Sequence, residues 1–226
     1  MSRSGPCATD VIVPNRGKHR ATVVMLHGMY GSPFHLSDLA SHMSVIGCRC
    51  VLMSAPRRTI HWPTGLEYDV SSWYDYYSRK DGEEEHDVIN QRHLESQAYR
   101  VQDTVKRELP KCSSGKIFVL GSSQGATVVM HCCALGLLGM ISGVISLRGC
   151  FLHNLVKSPL VKNINLLIFS GSDDRIYSLS LQKVAFGILE EYGANAQWII
   201  KQGLQHQSTS TTELKACRDF ISRLIA

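Results

Sequence analysis

Short apolar, β-branched runs recur along the 226-residue chain, separated by stretches in which apolar positions return at helical spacing. The runs cover residues 21–26, 48–52, 116–120, 143–147, 166–170 and 197–200, and each leads into a loop of turn-forming residues. Their near-continuous apolar character predicts strands buried on both faces. Helical patterns cover about 33–45, 94–109, 124–137, 179–192 and 212–224, the last preceded by serine and threonine capping candidates. Strand and helix in alternation predict an α/β fold, with a mostly parallel central sheet and helices on both of its faces.

In such a sheet the functional loops gather where the strands end, because that edge holds the helix N-termini and the crevice. Gly121-Ser122-Ser123-Gln124-Gly125 stands between a predicted strand and a predicted helix. That context turns a glycine-rich turn into a candidate nucleophile elbow, with Ser123 exposed at the helix start. A serine hydroxyl needs a base to take its proton and a carboxylate to orient that base. His206 lies in the loop between the last strand and the last helix, and Asp173-Asp174 follows the 166–170 run. Serine, aspartate, histidine is the chain order of α/β serine hydrolases. Spacing alone leaves the acid open between the two aspartates. The N–H groups of Gln124, at the helix start, and of Met29, in the loop after His27-Gly28, are the candidate oxyanion donors.

Composition narrows the class. A chain of this length buries about 70 to 75% of its unfolded surface, enough for a single α/β domain spanning 1–226. The 24 basic and 19 acidic residues give +5, a bias compatible with peripheral contact at anionic membranes and too small to suggest nucleic acid. Eight cysteines without a C-x-x-C pair, several inside apolar patterns, read as reduced, buried thiols. Residues 1–14 lack an apolar segment of signal-peptide length, and no run reaches the roughly 18 residues of a membrane span, so a cytoplasmic protein is expected. Cys7 is a candidate for reversible acylation. The charge-rich stretch 79–87 reads as a solvated acidic loop. The ten histidines show no metal-ligand spacing, and the serine chemistry requires neither metal nor organic cofactor.

With these residues in place, the chain resembles the phospholipase/carboxylesterase family of α/β-hydrolases, which includes the acyl-protein thioesterases. The resemblance rests on Leu26-His27-Gly28-Met29-Tyr30-Gly31, Ala55-Pro56-Arg57-Arg58-Thr59, Ser72-Trp73-Tyr74-Asp75, Gly121-Ser122-Ser123-Gln124-Gly125-Ala126, Gly171-Ser172-Asp173-Asp174 and Gly203-Leu204-Gln205-His206, in the family's order. It implies an α/β-hydrolase fold and a triad of Ser123, His206 and Asp174, since the family's acid takes the fourth position of its Gly-x-x-Asp block. Three features depart from the family pattern: Met29-Tyr30-Gly31 in place of Leu-Gly-Asp, Ile176-Tyr177 in place of Val-Pro, and the acidic insertion at 79–87.

About 18 residues separate Leu147 from Leu166, too few for a folded cap domain, so no large cap is expected over the site. Tyr30, Leu66, Trp73 and Tyr177, together with Met29, are the candidates to line an acyl groove, where each buried methylene contributes about 0.8 kcal/mol, with the core as the alternative place for Leu66 and Trp73. The resemblance implies S-acylated proteins as substrates and depalmitoylation as the activity, with short-chain esters or lysolipids as the alternative. A noncatalytic protein holding an apolar ligand on the same fold is the contrasting reading.

Overall fold

The computed structural model describes residues 9–62, 64–77, 89–139 and 141–226. Cys7 and the acidic loop 79–87 lie outside the described residues. The chain forms a seven-stranded sheet in the order β1-β3-β2-β6-β7-β8-β9, built from β1 (Val11–Val13), β2 (Ala21–Leu26), β3 (Cys48–Met53), β6 (Ile117–Ser122), β7 (Gly143–Leu147), β8 (Asn165–Gly171) and β9 (Asn195–Lys201). All pairings are parallel except that of the short edge strand β1 with β3. A separate antiparallel hairpin, β4 (Arg57–Trp62) and β5 (Gly65–Ser71), projects from the sheet's functional edge between β3 and the first long helix.

Every residue of β2 and β7 is buried, which explains their near-continuous apolar runs. Side chains alternate across the pleat, so one strand feeds two cores. Val24 and Leu26 of β2 join Val119 beneath α2 (Gln91–Glu108), α3 (Gln124–Ala134) and α4 (Leu179–Glu191). Val23 and Met25 join Phe118 and Leu120 on the opposite face, beneath α1 (Ser37–Val45) and α5 (Thr211–Ile225). Helices on both faces, as the sequence pattern requires, leave only the strand ends open.

Several details differ from expectation. The predicted helix at 33–45 opens with a tight 3-10 turn, Pro33–Leu36, before α1 begins. α3 ends at Ala134, short of residue 137, and α2 starts at Gln91, where the Asn90 side chain accepts from the His93 N–H. The hairpin was not expected at all. The 148–164 segment carries one 3-10 turn, His153–Leu155, so no large cap covers the site. Among the described residues no helix is long and apolar enough to cross a membrane. Cys48, Cys50, Cys112, Cys132, Cys133, Cys150 and Cys217 are free and buried.

Candidate active site

β6 turns into α3 through Ser123, whose backbone is left-handed at φ 52°. The flanking glycines permit the turn. A Cβ on Gly121 would stand 2.4 Å from the Ala126 nitrogen, and one on Gly125 would stand 2.5 Å from the carbonyl oxygens of Leu26 and His27. The Ser123 N–H donates to the Leu147 carbonyl (2.9 Å), which ties the elbow to β7, and its own carbonyl accepts from Ala126 N–H (2.9 Å) to start the helix. A non-glycine residue in this region costs on the order of 1 kcal/mol, a strain that the surrounding packing must hold.

His206 and Asp174 reach this serine from two other loops of the same edge. Ser123 Oγ donates to His206 Nε2 at 2.8 Å, and His206 Nδ1 donates to Asp174 Oδ2 at 2.8 Å. The Asp174 side chain is fully buried. Its other oxygen accepts the N–H groups of Ile176 and Tyr177, each at 2.9 Å, so both carboxylate oxygens have fixed partners. Asp173, by contrast, is exposed and accepts from the Ser172 hydroxyl. The geometry thus brings together the three residues singled out in the sequence and separates the two aspartates that spacing could not.

The loop after β2 is held from below by His27, whose Nδ1–H donates to the Gly28 carbonyl (2.7 Å) while Nε2 accepts from Ala55 N–H (3.1 Å). Burial, only partly opposed by the Gly28 bond, lowers its pKa to about 4, so it is neutral at physiological pH. Tyr30 N–H in this loop is taken by the Ser71 carbonyl, whereas the N–H groups of Met29 and Gln124 make no hydrogen bond among the described residues. The Gln124 side chain is buried and serves structure. Its Oε1 accepts the Trp73 N–H (2.8 Å), and its Nε2 donates to the Tyr74 carbonyl (3.0 Å), which locks the 72–74 loop against the elbow.

A cavity of about 740 Å³ opens over Ser123 and His206. Met29, Tyr30, Tyr76, Ile176 and Tyr177 line it, together with Leu36, Leu39, Leu147 and Leu214. Tyr30 is exposed and its hydroxyl donates to Glu67 of the hairpin (2.7 Å). Tyr177 is almost wholly buried, with its ring edge-on to His206 at 5.6 Å, so it supports the histidine as much as it borders the cavity. Two groove candidates need correction. Trp73 is a core residue, fully buried, with Nε1–H donating to the His27 carbonyl (2.7 Å) and its ring against the His27 ring. Leu66 is half exposed on β5 and lies outside the cavity lining. The sequence reading also missed Arg148 and Glu213, both of which line the cavity. A charged residue at a strand end and another in a first helical turn look solvated in sequence, and only the packing of α5 over β7 buries them.

The model of the phospholipase/carboxylesterase family matches residues 7–225. The chain belongs to this family. It is a serine hydrolase of the esterase and thioesterase class. Acyl-protein thioesterase 1 of Neurospora crassa is 25% identical, over 94% of this chain and 90% of that one. Acyl-protein thioesterase 1 homolog 1 of Dictyostelium discoideum is 24% identical, over 92% of each. Among solved structures, the maize (Zea mays) acyl-protein thioesterase 2 shares the fold with a TM-score of 0.80 at 18% identity, over 96% of this chain and 99% of that one.

Proposed function

We propose that the protein removes long acyl chains, palmitoyl above all, from protein cysteines through an acyl-enzyme on Ser123. The observation that carries this reading is the unbroken hydrogen-bonded line from Ser123 Oγ through His206 to Asp174 at the floor of a roomy cavity. His206 takes the serine proton as Oγ attacks the thioester carbonyl. Negative charge then develops on oxygen near the free N–H groups of Met29 and Gln124, each of which contributes about 3 to 4 kcal/mol when aimed at that charge. Collapse expels the cysteine sulfur, protonated by His206, and a water activated by the same histidine hydrolyses the acyl-serine. Asp174 keeps the imidazole in the tautomer that accepts from serine. The names of the two thioesterase relatives support the thioester as substrate.

Shorter or more polar esters are the second reading, favoured by one observation: the charged side chains of Arg148 and Glu213 stand in the wall of the cavity. The deciding measurement is kcat/KM on an S-palmitoylated peptide beside its S-acetyl counterpart, with Ser123→Ala as the blank. A serine-dependent preference for palmitoyl is expected. Equal or reversed preference replaces depalmitoylation with short-chain carboxylesterase activity, and failure of a fluorophosphonate to label the folded protein would leave a noncatalytic ligand carrier.

A further inference from the structure

Arg148 combines two costly features at one position. It is the first residue after β7, held left-handed at φ 48°, and its side chain is buried at only 8% exposure with a buried carboxylate, Glu213, as its ion partner at 2.9 Å. Burying an ion pair typically stabilises a fold no better than well-packed apolar side chains of equal volume, because desolvation costs several kcal/mol per ion. Fold stability therefore gives no reason for a strained arginine here. Its position does. The Ser122↔Leu147 pairing sets the next residues, Ser123 and Arg148, side by side at the strand ends. The Arg148 Nη1 donates to the Ser208 carbonyl, two residues beyond His206, and its Nη2 lies 3.4 Å from the hydroxyl of Ser122, the residue before the nucleophile. Glu213 completes the set from the first turn of α5, the helix that the histidine loop runs into.

We propose that Arg148 is a positioning residue for the hydrolytic reaction: its guanidinium, braced by Glu213, fastens the loop that carries His206 to the strand end that carries Ser123, and so fixes the serine–histidine distance. This rests on the reading of His206 as the general base. The planar fork of a guanidinium suits the task, because it reaches a carbonyl, a carboxylate and a hydroxyl from one rigid group, which a lysine ammonium does not. The role is indirect. Arg148 holds the backbone beyond the base and takes no proton itself.

The test measures kcat and KM on p-nitrophenyl octanoate for folded wild type, Arg148→Ala, Arg148→Lys and Glu213→Gln, with His206→Ala as control. Misplacing the base lowers kcat and leaves ground-state binding alone, so Arg148→Ala is expected to lose about 30-fold or more in kcat with KM within about threefold. The truncated side chain leaves a gap on the cavity wall, so guanidinium chloride at non-denaturing concentration should restore about fivefold or more of the lost kcat, while equal urea or sodium chloride should not. Arg148→Lys should fall between the two. A kcat for Arg148→Ala within threefold of wild type, or a loss that guanidinium does not relieve, overturns the proposal. Should Arg148→Ala fail to fold, Glu213→Gln decides: a drop of about fivefold at constant KM supports it, and an unchanged kcat overturns it. Full activity in His206→Ala would instead remove the underlying assignment of the base, a result separable from all of these.

Discussion

Acidification should weaken the fold at the loop that carries Met29, a candidate oxyanion donor, and His27 is where this can be measured. The ring is 1% exposed and both nitrogens are committed, one donating to Gly28 and the other accepting from Ala55. Protonation would both bury a charge and turn the Nε2 acceptor into a donor facing an N–H. Burial accordingly lowers the pKa from 6.5 to about 4, with smaller repulsion from His35 and Arg100. The sign follows directly: between pH 6.5 and 4 the unfolded chain holds more protons than the native one, so stability is full above 6.5 and declines as pH falls through that window. A separation of 2.5 units is worth about 3 kcal/mol in all, of which about 2 kcal/mol is lost by pH 5. Urea unfolding of wild type and His27→Gln, followed by circular dichroism at pH 8, 7, 6 and 5, checks this. The glutamine is expected to be the less stable protein at pH 8 and to close the gap by about 2 kcal/mol at pH 5, since it has no proton to refuse. A stability difference that stays constant across these pH values would refute the reasoning, whatever its size.

Other outcomes follow from the same geometry. Asp174→Asn should reduce kcat by about 10⁴-fold through the wrong imidazole tautomer, while Asp173→Asn stays within about threefold; steady-state rates on a thioester, with the opposite ranking, would overturn the assignment. Gly125→Ala places a carbon against two backbone carbonyls that cannot swing aside, and a loss of about 2 kcal/mol or more in urea unfolding is expected, a change below about 0.5 counting against the close approach. Glu213 behaves oppositely to His27. Burial, partly offset by Arg148, raises its pKa from 4.5 to about 7, so native stability falls as pH rises from 4.5 to 7. Glu213→Gln should therefore gain on wild type by about 2 kcal/mol between pH 5 and pH 8 in urea unfolding, and a pH-independent difference would sink the idea.

Much of this molecule is legible in the sequence because its central strands are buried on both sides and so advertise themselves as apolar runs. The apolar runs match β2, β6, β7 and β8 to within two residues, and Ser123, the two aspartates and His206 stand in the loops that follow β6, β8 and β9. What escaped notice lies at the margins. β1 has three residues and pairs on one side only, and the β4–β5 hairpin is largely polar, with a register shift between Arg58 and Ile60 that obscures alternation. Trp73 stays open between groove and core in the sequence for a different reason: a tryptophan in a loop beside the site can turn to either side, and the bond from its indole to the His27 carbonyl, invisible in sequence, turns it inward. Arg148 and Glu213 show the same limit in reverse, since each alone resembles a surface charge and only their meeting across β7 and α5 buries them.

The order of strands across the sheet carries a consequence for synthesis. β6, which ends at the candidate nucleophile, lies between β2 and β7, while the histidine loop and α5 come after all seven strands of the sheet in the chain. Chains emerge at roughly 5 to 20 residues per second, so the strands through β8 can assemble seconds before His206 arrives. During that interval Phe118, Leu120, Ile145 and Phe169 lack the cover that Phe220 and Ile221 of α5 later provide. With His206 as the proposed base, the nascent chain is thus inert toward esters and sticky at the same time. Chaperones meeting it would recognise the bare face that α5 later closes, and the helix that ends their business is also the one that follows the base into place.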